Sequence, residues 1–278
     1  MSSVREVQRK VVGQPTSDGA GVRMTRVIGS QRLDHFDPFL LLDEFRSDDP
    51  DDYIKGFPDH PHRGFETVTY MLAGHMRHGD NQGNTGHLGP GSVQWMTAGR
   101  GIVHSEFPEQ ENGLMWGFQL WVNLPSNDKM TTPRYQDIPA TDIPGVQPAD
   151  GVSAKVIAGT LAGTQGPVSG VATEPVYFDL TIEEEVAYTV ELPAGHNAFA
   201  YVFEGSALIG AARTFIQRGE IALLSHGEQL PIEAVDTCRC IVVAGKPLNE
   251  PIARYGPFVM NTREEIQQAF EDYQAGRL

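Results

Sequence analysis

Gly64-Phe65-Glu66-Thr67-Val68-Thr69-Tyr70-Met71-Leu72-Ala73-Gly74 opens a stretch in which strand-like pieces alternate with glycine turns as far as Trp121. The pieces fall at 66–72, 86–88, 92–96 and 114–124. Short β-branched and aromatic runs between turn residues predict antiparallel strands closed into a barrel or sandwich. Upstream, 1–30 alternates apolar and polar positions around a turn expected at Pro15-Thr16-Ser17-Asp18-Gly19. Asp37-Pro38-Phe39-Leu40-Leu41-Leu42-Asp43-Glu44-Phe45 predicts a buried run ending in the acidic loop 47–52.

Residues 125–150 hold Pro125, Pro133, Pro139, Pro144 and Pro148 and are the candidate linker. A second all-β stretch follows at 154–158, 176–182, 186–192, 197–203, 207–209, 220–224 and 238–243. The halves share a short pattern, a strand ending in a glycine hairpin, at Tyr70-Met71-Leu72-Ala73-Gly74-His75 and Tyr201-Val202-Phe203-Glu204-Gly205-Ser206. The tail differs. Thr262-Arg263-Glu264-Glu265 is a capping box, Ile266, Ala269, Phe270 and Tyr273 recur at helical spacing, and Gly276 ends the helix. That helix is expected to pack on the second domain.

The 278 residues allow two ordinary domains. A formal charge of −15, acidic in both halves, argues against direct contact with nucleic acid phosphate or an anionic membrane. Cys238 and Cys240 sit in an apolar run with both thiols on one strand face, where a disulfide between i and i+2 would be strained. They read as core residues of a protein kept reduced, and a cytoplasmic setting is expected. Met1-Ser2-Ser3-Val4-Arg5-Glu6 lacks an apolar h-region, and no apolar run reaches the roughly 18 residues of a membrane span.

Two motifs carry chemistry. His60-Pro61-His62 and His104-Ser105-Glu106 each place two metal-ligand side chains at i and i+2. Residues so spaced share one face of a strand, so each pair can address one ion. Side by side, the strands would assemble three histidines and a carboxylate, a set suited to a divalent transition metal. Glu66 competes with Glu106 for the carboxylate role. A regular strand puts it roughly 13 Å along from His62, too far without a bend at Gly64. His35, His75, His78 and His87 complete the histidines of the first half; His75 and His78 are expected in loops. His196 and His226 in the second half are isolated.

The residues Phe57-Pro58-Asp59-His60-Pro61-His62-Arg63-Gly64-Phe65-Glu66-Thr67-Val68 resemble the pirin family, two-domain members of the cupin superfamily. So do Gln94-Trp95-Met96-Thr97-Ala98-Gly99-Arg100-Gly101-Ile102-Val103-His104-Ser105-Glu106 and Gly256-Pro257-Phe258-Val259-Met260-Asn261-Thr262. The likeness runs from about residue 20 to 270. Thr97 stands where cupins often carry proline. The resemblance implies an all-β chain of two jelly-roll-like cupin barrels, face to face, with a short C-terminal helix. The expected domains are 1–135, with the metal site, and 136–278, without metal and ending in the helix.

It further implies one Fe(2+) per chain, with other divalent transition metals admissible, held by His60, His62, His104 and Glu106. Several family members resemble quercetin 2,3-dioxygenase, which opens a flavonol ring with O₂ and releases carbon monoxide. On that reading Glu106 is also the catalytic base, and Phe65, Met96 and Trp116 are candidates to line the mouth, although each taken singly reads first as ordinary barrel core. The partners are then a flavonol-like aromatic and O₂, and the chain is expected to be a monomer. The alternative is an iron redox sensor without physiological turnover. It would act through a protein partner, as the family's nuclear transcription cofactors do in eukaryotes.

Overall fold

The alternating stretch after Gly64 folds as the strand Phe65–Ala73, and the pieces beyond it as Thr85–Leu88, Val93–Thr97 and Met115–Asn123. The computed structural model describes residues 3–278. Contacts divide the chain into two compact units.

The first contains 15–29, 39–140 and 248–278. Its larger sheet has seven strands in the order Gln14–Asp18, Val22–Ile28, Phe39–Ser47, Met115–Asn123, Phe65–Ala73, Val93–Thr97 and Arg134–Ile138. A four-stranded sheet, Phe57–His62, Ile102–Pro108, Met76–Asp80 and Thr85–Leu88, faces it. The second unit contains 3–14, 30–38 and 141–247, built on a nine-stranded sheet. Its core gathers Phe178, Val202, Ile209, Leu230 and Val242 with Cys238 and Cys240, both free thiols and both fully buried. The two units are the cupin barrels of an all-β protein.

The chain exchanges its ends between the units, so their membership departs from a single cut at 135/136. Val7–Val12 pairs with Glu220–Leu224 in the nine-stranded sheet. The helix Arg263–Gln274 packs with the first unit, not the second. Ile266 and Ala269 bury against Phe258 and Met260, and Asp272 Oδ2 accepts from Arg63 Nη1 at 2.9 Å. Thr262 caps the helix in a full capping box. An amphipathic helix buries its apolar stripe wherever one is offered, and spacing alone does not say where.

Three other local expectations are corrected. Pro15, Thr16 and Ser17 continue an edge strand, where a missing N–H is tolerated, and the chain reverses at Gly19 to Gly21. The proposed linker contains two strands, Arg134–Ile138 and Gly145–Ala149; Pro133 and Pro139 flank the former, and Pro148 lies on a sheet edge. The hairpin at Gly205 is a bend inside one strand, Asn197–Ile209, whose register slips around Glu204 and Ser206. Gly205 takes φ +67°, and a Cβ there would lie 2.1 Å from Thr237 O.

The cavity face of the seven-stranded sheet carries an ordered pattern. Arg26, Asp43, Gln119, Thr69, Gln94 and Asp137 are direct cross-strand partners, one on each of six adjacent strands. They hydrogen-bond pairwise: Arg26 to Asp43 at 2.9 and 2.7 Å, Thr69 to Gln119 at 2.8 Å, and Gln94 to Asp137 at 3.0 Å. Apolar partners flank this polar row, with Met71, Gly117 and Phe45 on one side and Trp121 and Leu41 on the other. Gly117 is required there, because a Cβ would lie 2.6 Å from Phe45 Cζ.

Candidate metal centre

The two ligand motifs meet as neighbouring strands. Phe57–His62 pairs antiparallel with Ile102–Pro108, His60 opposite His104 and His62 opposite Ile102. A register shift after His104 brings Glu106 opposite Phe57. Ring centroids lie 4.4 Å apart for His60 and His104, 4.7 Å for His60 and His62, and 5.0 Å for His62 and His104. One nitrogen from each of the three histidines falls within 4.8 Å of the others. Glu106 Oε2 stands at the margin of this group, 4.0 Å from Nε2 of both His60 and His104.

Those separations are too long for hydrogen bonds and suit donors waiting on a shared ion. Metal–nitrogen bonds of about 2.1 Å bring neighbouring donors to about 3 Å from one another, a short inward movement from here. Burial supports the fit. His104 is fully buried and neither of its ring nitrogens finds a hydrogen-bond partner among the described residues; His62 Nδ1 is in the same position. An unsatisfied buried donor or acceptor costs about 1–3 kcal/mol, which ligation would remove. His60 Nδ1 donates to Pro58 O at 2.8 Å, fixing the tautomer that leaves Nε2 for an ion.

The electrostatics keep the His62 and His104 imidazoles neutral, the form that binds metal. Burial lowers the His104 pKa to about 4, against the opposing pull of Glu106. Burial, then the neighbouring His104 and His60, holds His62 well below the usual histidine range. The metal-free protein should therefore weaken on mild acidification. Between pH 6.5 and about 4 the unfolded chain binds a proton at residue 104 that the folded chain refuses, so stability rises with pH across that window. His104 alone accounts for about 3 kcal/mol, at 1.36 kcal/mol per pKa unit. Urea titrations of the metal-free protein at pH 7 and pH 4.5, compared with His104→Gln, measure it. Equal losses in the two proteins would refute the assignment.

Glu106 is braced from the opposite sheet. Thr69 Oγ1 gives its proton to Gln119 Oε1 at 2.8 Å, and Gln119 Nε2 donates to Glu106 Oε1 at 3.3 Å. This leaves Oε2 toward the histidines. Glu66 lies on the other face of its strand from Thr67 and Thr69. It accepts from Thr97 Oγ1 at 2.6 Å, and burial raises its pKa.

A cavity of about 610 Å³ opens onto His60, His62 and Glu106. Its remaining walls include Met24, Phe45, Phe57, Met76 and Trp121, with Thr69, Gln119, Asp43 and Arg26 of the polar row. The three candidate mouth residues are core side chains and are not among the lining. Trp116 has the wrong parity and turns to the other sheet face, where its indole N–H donates to Glu44 at 2.9 Å. Phe65 stacks behind Trp121 at 4.4 Å, and Met96 packs with Ala98 and Ile102. His78 also departs from expectation. It lies in the strand Met76–Asp80 opposite Glu106, is buried, stacks on Tyr135 at 5.3 Å and has Nε2 3.3 Å from Asp137 Oδ2. In the second unit His196 Nε2 meets Glu174 O, and His226 meets Asn197 Oδ1.

Paired cupin barrels, one of them carrying a three-histidine cluster of which two members line a cavity, define a bicupin equipped to hold a metal ion. The family model described as pirin matches residues 21–122, and that of the pirin C-terminal cupin domain matches 177–278. A Pseudomonas aeruginosa relative, provisionally named as a quercetin 2,3-dioxygenase, is 51% identical over 100% of this chain and 99% of its own. Human pirin is 43% identical over 98% of this chain and 93% of its own. A crystal structure of quercetin 2,3-dioxygenase from Acinetobacter baumannii superposes with a TM-score of 0.92 at 34% identity, covering 99% of this chain and 98% of that one. The chain belongs to the pirin family.

Proposed function

We propose that this chain is an iron-dependent flavonol 2,3-dioxygenase in which His60, His62, His104 and Glu106 hold one Fe(2+). The observation that carries this is a cavity in the range of small-molecule sites, walled by aromatic and methionine side chains and lined by His60, His62 and Glu106 of the donor cluster. Fe(2+), when bound, supplies Lewis acidity toward the substrate oxygens and exchanges electrons with O₂. Phe45, Phe57 and Trp121 hold the flat rings and exclude water. Glu106 accepts the 3-hydroxyl proton on Oε2 while Gln119 keeps Oε1 in place. O₂ is the oxidant, and both its atoms enter the ring-opened ester acid. The two C–C bonds to C3 break, C3 leaves as CO, and the proton held by Glu106 goes to the new carboxylate.

The buried thiols of Cys238 and Cys240 support a reducing, cytoplasmic setting. Among the described residues no helix is long and apolar enough to cross a membrane. The test is stoichiometry: iron-loaded protein should consume O₂, lose quercetin and release CO in equal amounts. Metal-replete protein that takes up no O₂ with quercetin, yet binds a protein partner differently as Fe(2+) and Fe(3+), would establish the sensor reading instead.

A further inference from the structure

We infer that the Arg26–Asp43 pair, beyond Gln119 in the polar row of the cavity wall, recognises two adjacent phenolic hydroxyls, so that the site selects aromatics with an o-dihydroxyphenyl ring. The inference deepens the flavonol reading of the same cavity, and its test requires no turnover.

Placement comes from the sheet register. Thr69, Gln119, Asp43 and Arg26 occupy four consecutive strands in one row. Strands are spaced about 4.8 Å apart, and Glu106 Oε1 lies over Thr69 and Gln119 at 3.4 and 3.3 Å, so Asp43 lies about 5–10 Å along the row from the point beneath Glu106. In a flavonol the B-ring hydroxyls lie across one aryl ring from the 3-hydroxyl, a separation on this scale. A flavonol or flavone with the C3–C4 edge of its central ring toward Glu106 and its length along the row brings its B ring to Asp43.

Chemistry at that end favours neutral hydroxyls. Asp43 is 3% exposed yet lines the cavity. Arg26 Nε and Nη2 grip its two oxygens at 2.9 and 2.7 Å, and Nη2 also reaches Asp18 Oδ2 at 3.0 Å. A forked pair uses one acceptor site on each carboxylate oxygen and leaves others for two incoming O–H donors. Asp18, Asp43, Asp59 and Glu106 outnumber Arg26 and Arg254 around the cavity, which disfavours a carboxylate ligand. The flanking rows are apolar, Phe45 with Gly117 and Trp121 with Leu41. Hydroxyls are therefore accommodated along the polar row and penalised beside it.

If the pair merely tied strands together, it would be indifferent to ligand hydroxylation, and that difference decides the experiment. Luteolin and chrysin both lack the 3-hydroxyl that the proposed ring opening uses; luteolin carries the 3′,4′-dihydroxyphenyl ring and chrysin an unsubstituted one. Calorimetric titration of the metal-loaded full chain should show luteolin binding about tenfold tighter or better, the scale of hydrogen bonds to a charged acceptor. Asp43→Asn should bring the ratio toward one by weakening luteolin while leaving chrysin unchanged. Arg26→Lys, which keeps the charge and loses the fork, should do the same and serves if Asp43→Asn fails to fold. Equal wild-type affinity for the two flavones, or variants that weaken both alike, would overturn the inference. Inactivity on quercetin would leave this result standing, so the two failures are distinguishable.

Discussion

His62→Ala and His104→Ala are each expected to purify folded and with metal at background, while the wild-type chain holds one equivalent. Outer-shell partners of metal ligands cost about 10–100-fold in affinity when lost, and a direct ligand costs at least as much. Each histidine is one of three packed within 4.8 Å, and Glu106 at 4.0 Å from two of them does not replace a nitrogen donor. The fold should survive because two effects oppose each other at His104. Truncation opens a cavity at a fully buried position, costing about 2–3 kcal/mol. It also removes two buried ring nitrogens that have no hydrogen-bond partner among the described residues, a saving of about 1–3 kcal/mol for each. Plasma emission analysis with circular dichroism on the same samples reads both quantities. Full metal occupancy in both variants would show that the ion, if one binds, sits elsewhere.

The ligand motifs were legible because they need only the two-residue period of a strand. His60 and His62 share a face whatever their strand pairs with, and so do His104 and Glu106. The glycine cadence after Gly64 revealed the strands for the same reason: turn chemistry is local. What escaped depends on which strand lies beside which. Arg26, Asp43, Gln119, Thr69, Gln94 and Asp137 come from six separate strands, and no spacing in the chain relates them. Val7–Val12 alternates equally well in either sheet, so its pairing with Glu220–Leu224 left no mark on its own sequence. Gly74 and Gly205 follow similar residues, yet Gly74 separates strands of two sheets and Gly205 bends one continuous strand. Residue type alone makes Trp116 a candidate for the mouth, but parity decides: Gly117, Gln119 and Trp121 face the cavity and Trp116 cannot.

Glu106→Gln should lower turnover on quercetin by about 10²–10⁴-fold, the contribution typical of a positioned general base, with a much smaller fall in iron content. The substitution keeps size and one acceptor oxygen but removes the charge and the basicity. Gln119 Nε2 can still donate to the retained oxygen, so the side chain should stay where Glu106 was. Glu66→Gln is the matched control, because both carboxylates are buried and both sit near the ligand motifs in sequence. Glu66 faces away from the cavity and receives a hydrogen bond from Thr97, and burial already raises its pKa. A neutral amide there keeps the acceptor and relieves a desolvated charge. Stability should change by no more than about 1 kcal/mol and turnover hardly at all. Iron content and steady-state rates measured on both variants separate the two roles. Normal turnover in Glu106→Gln with loss in Glu66→Gln would transfer the catalytic carboxylate to the other face of the sheet. That outcome would require the strand at Gly64 to turn over when metal binds. The φ of +88° at Gly64, and the 2.0 Å at which a Cβ there would meet Val259 O, argue that the strand is held as it is.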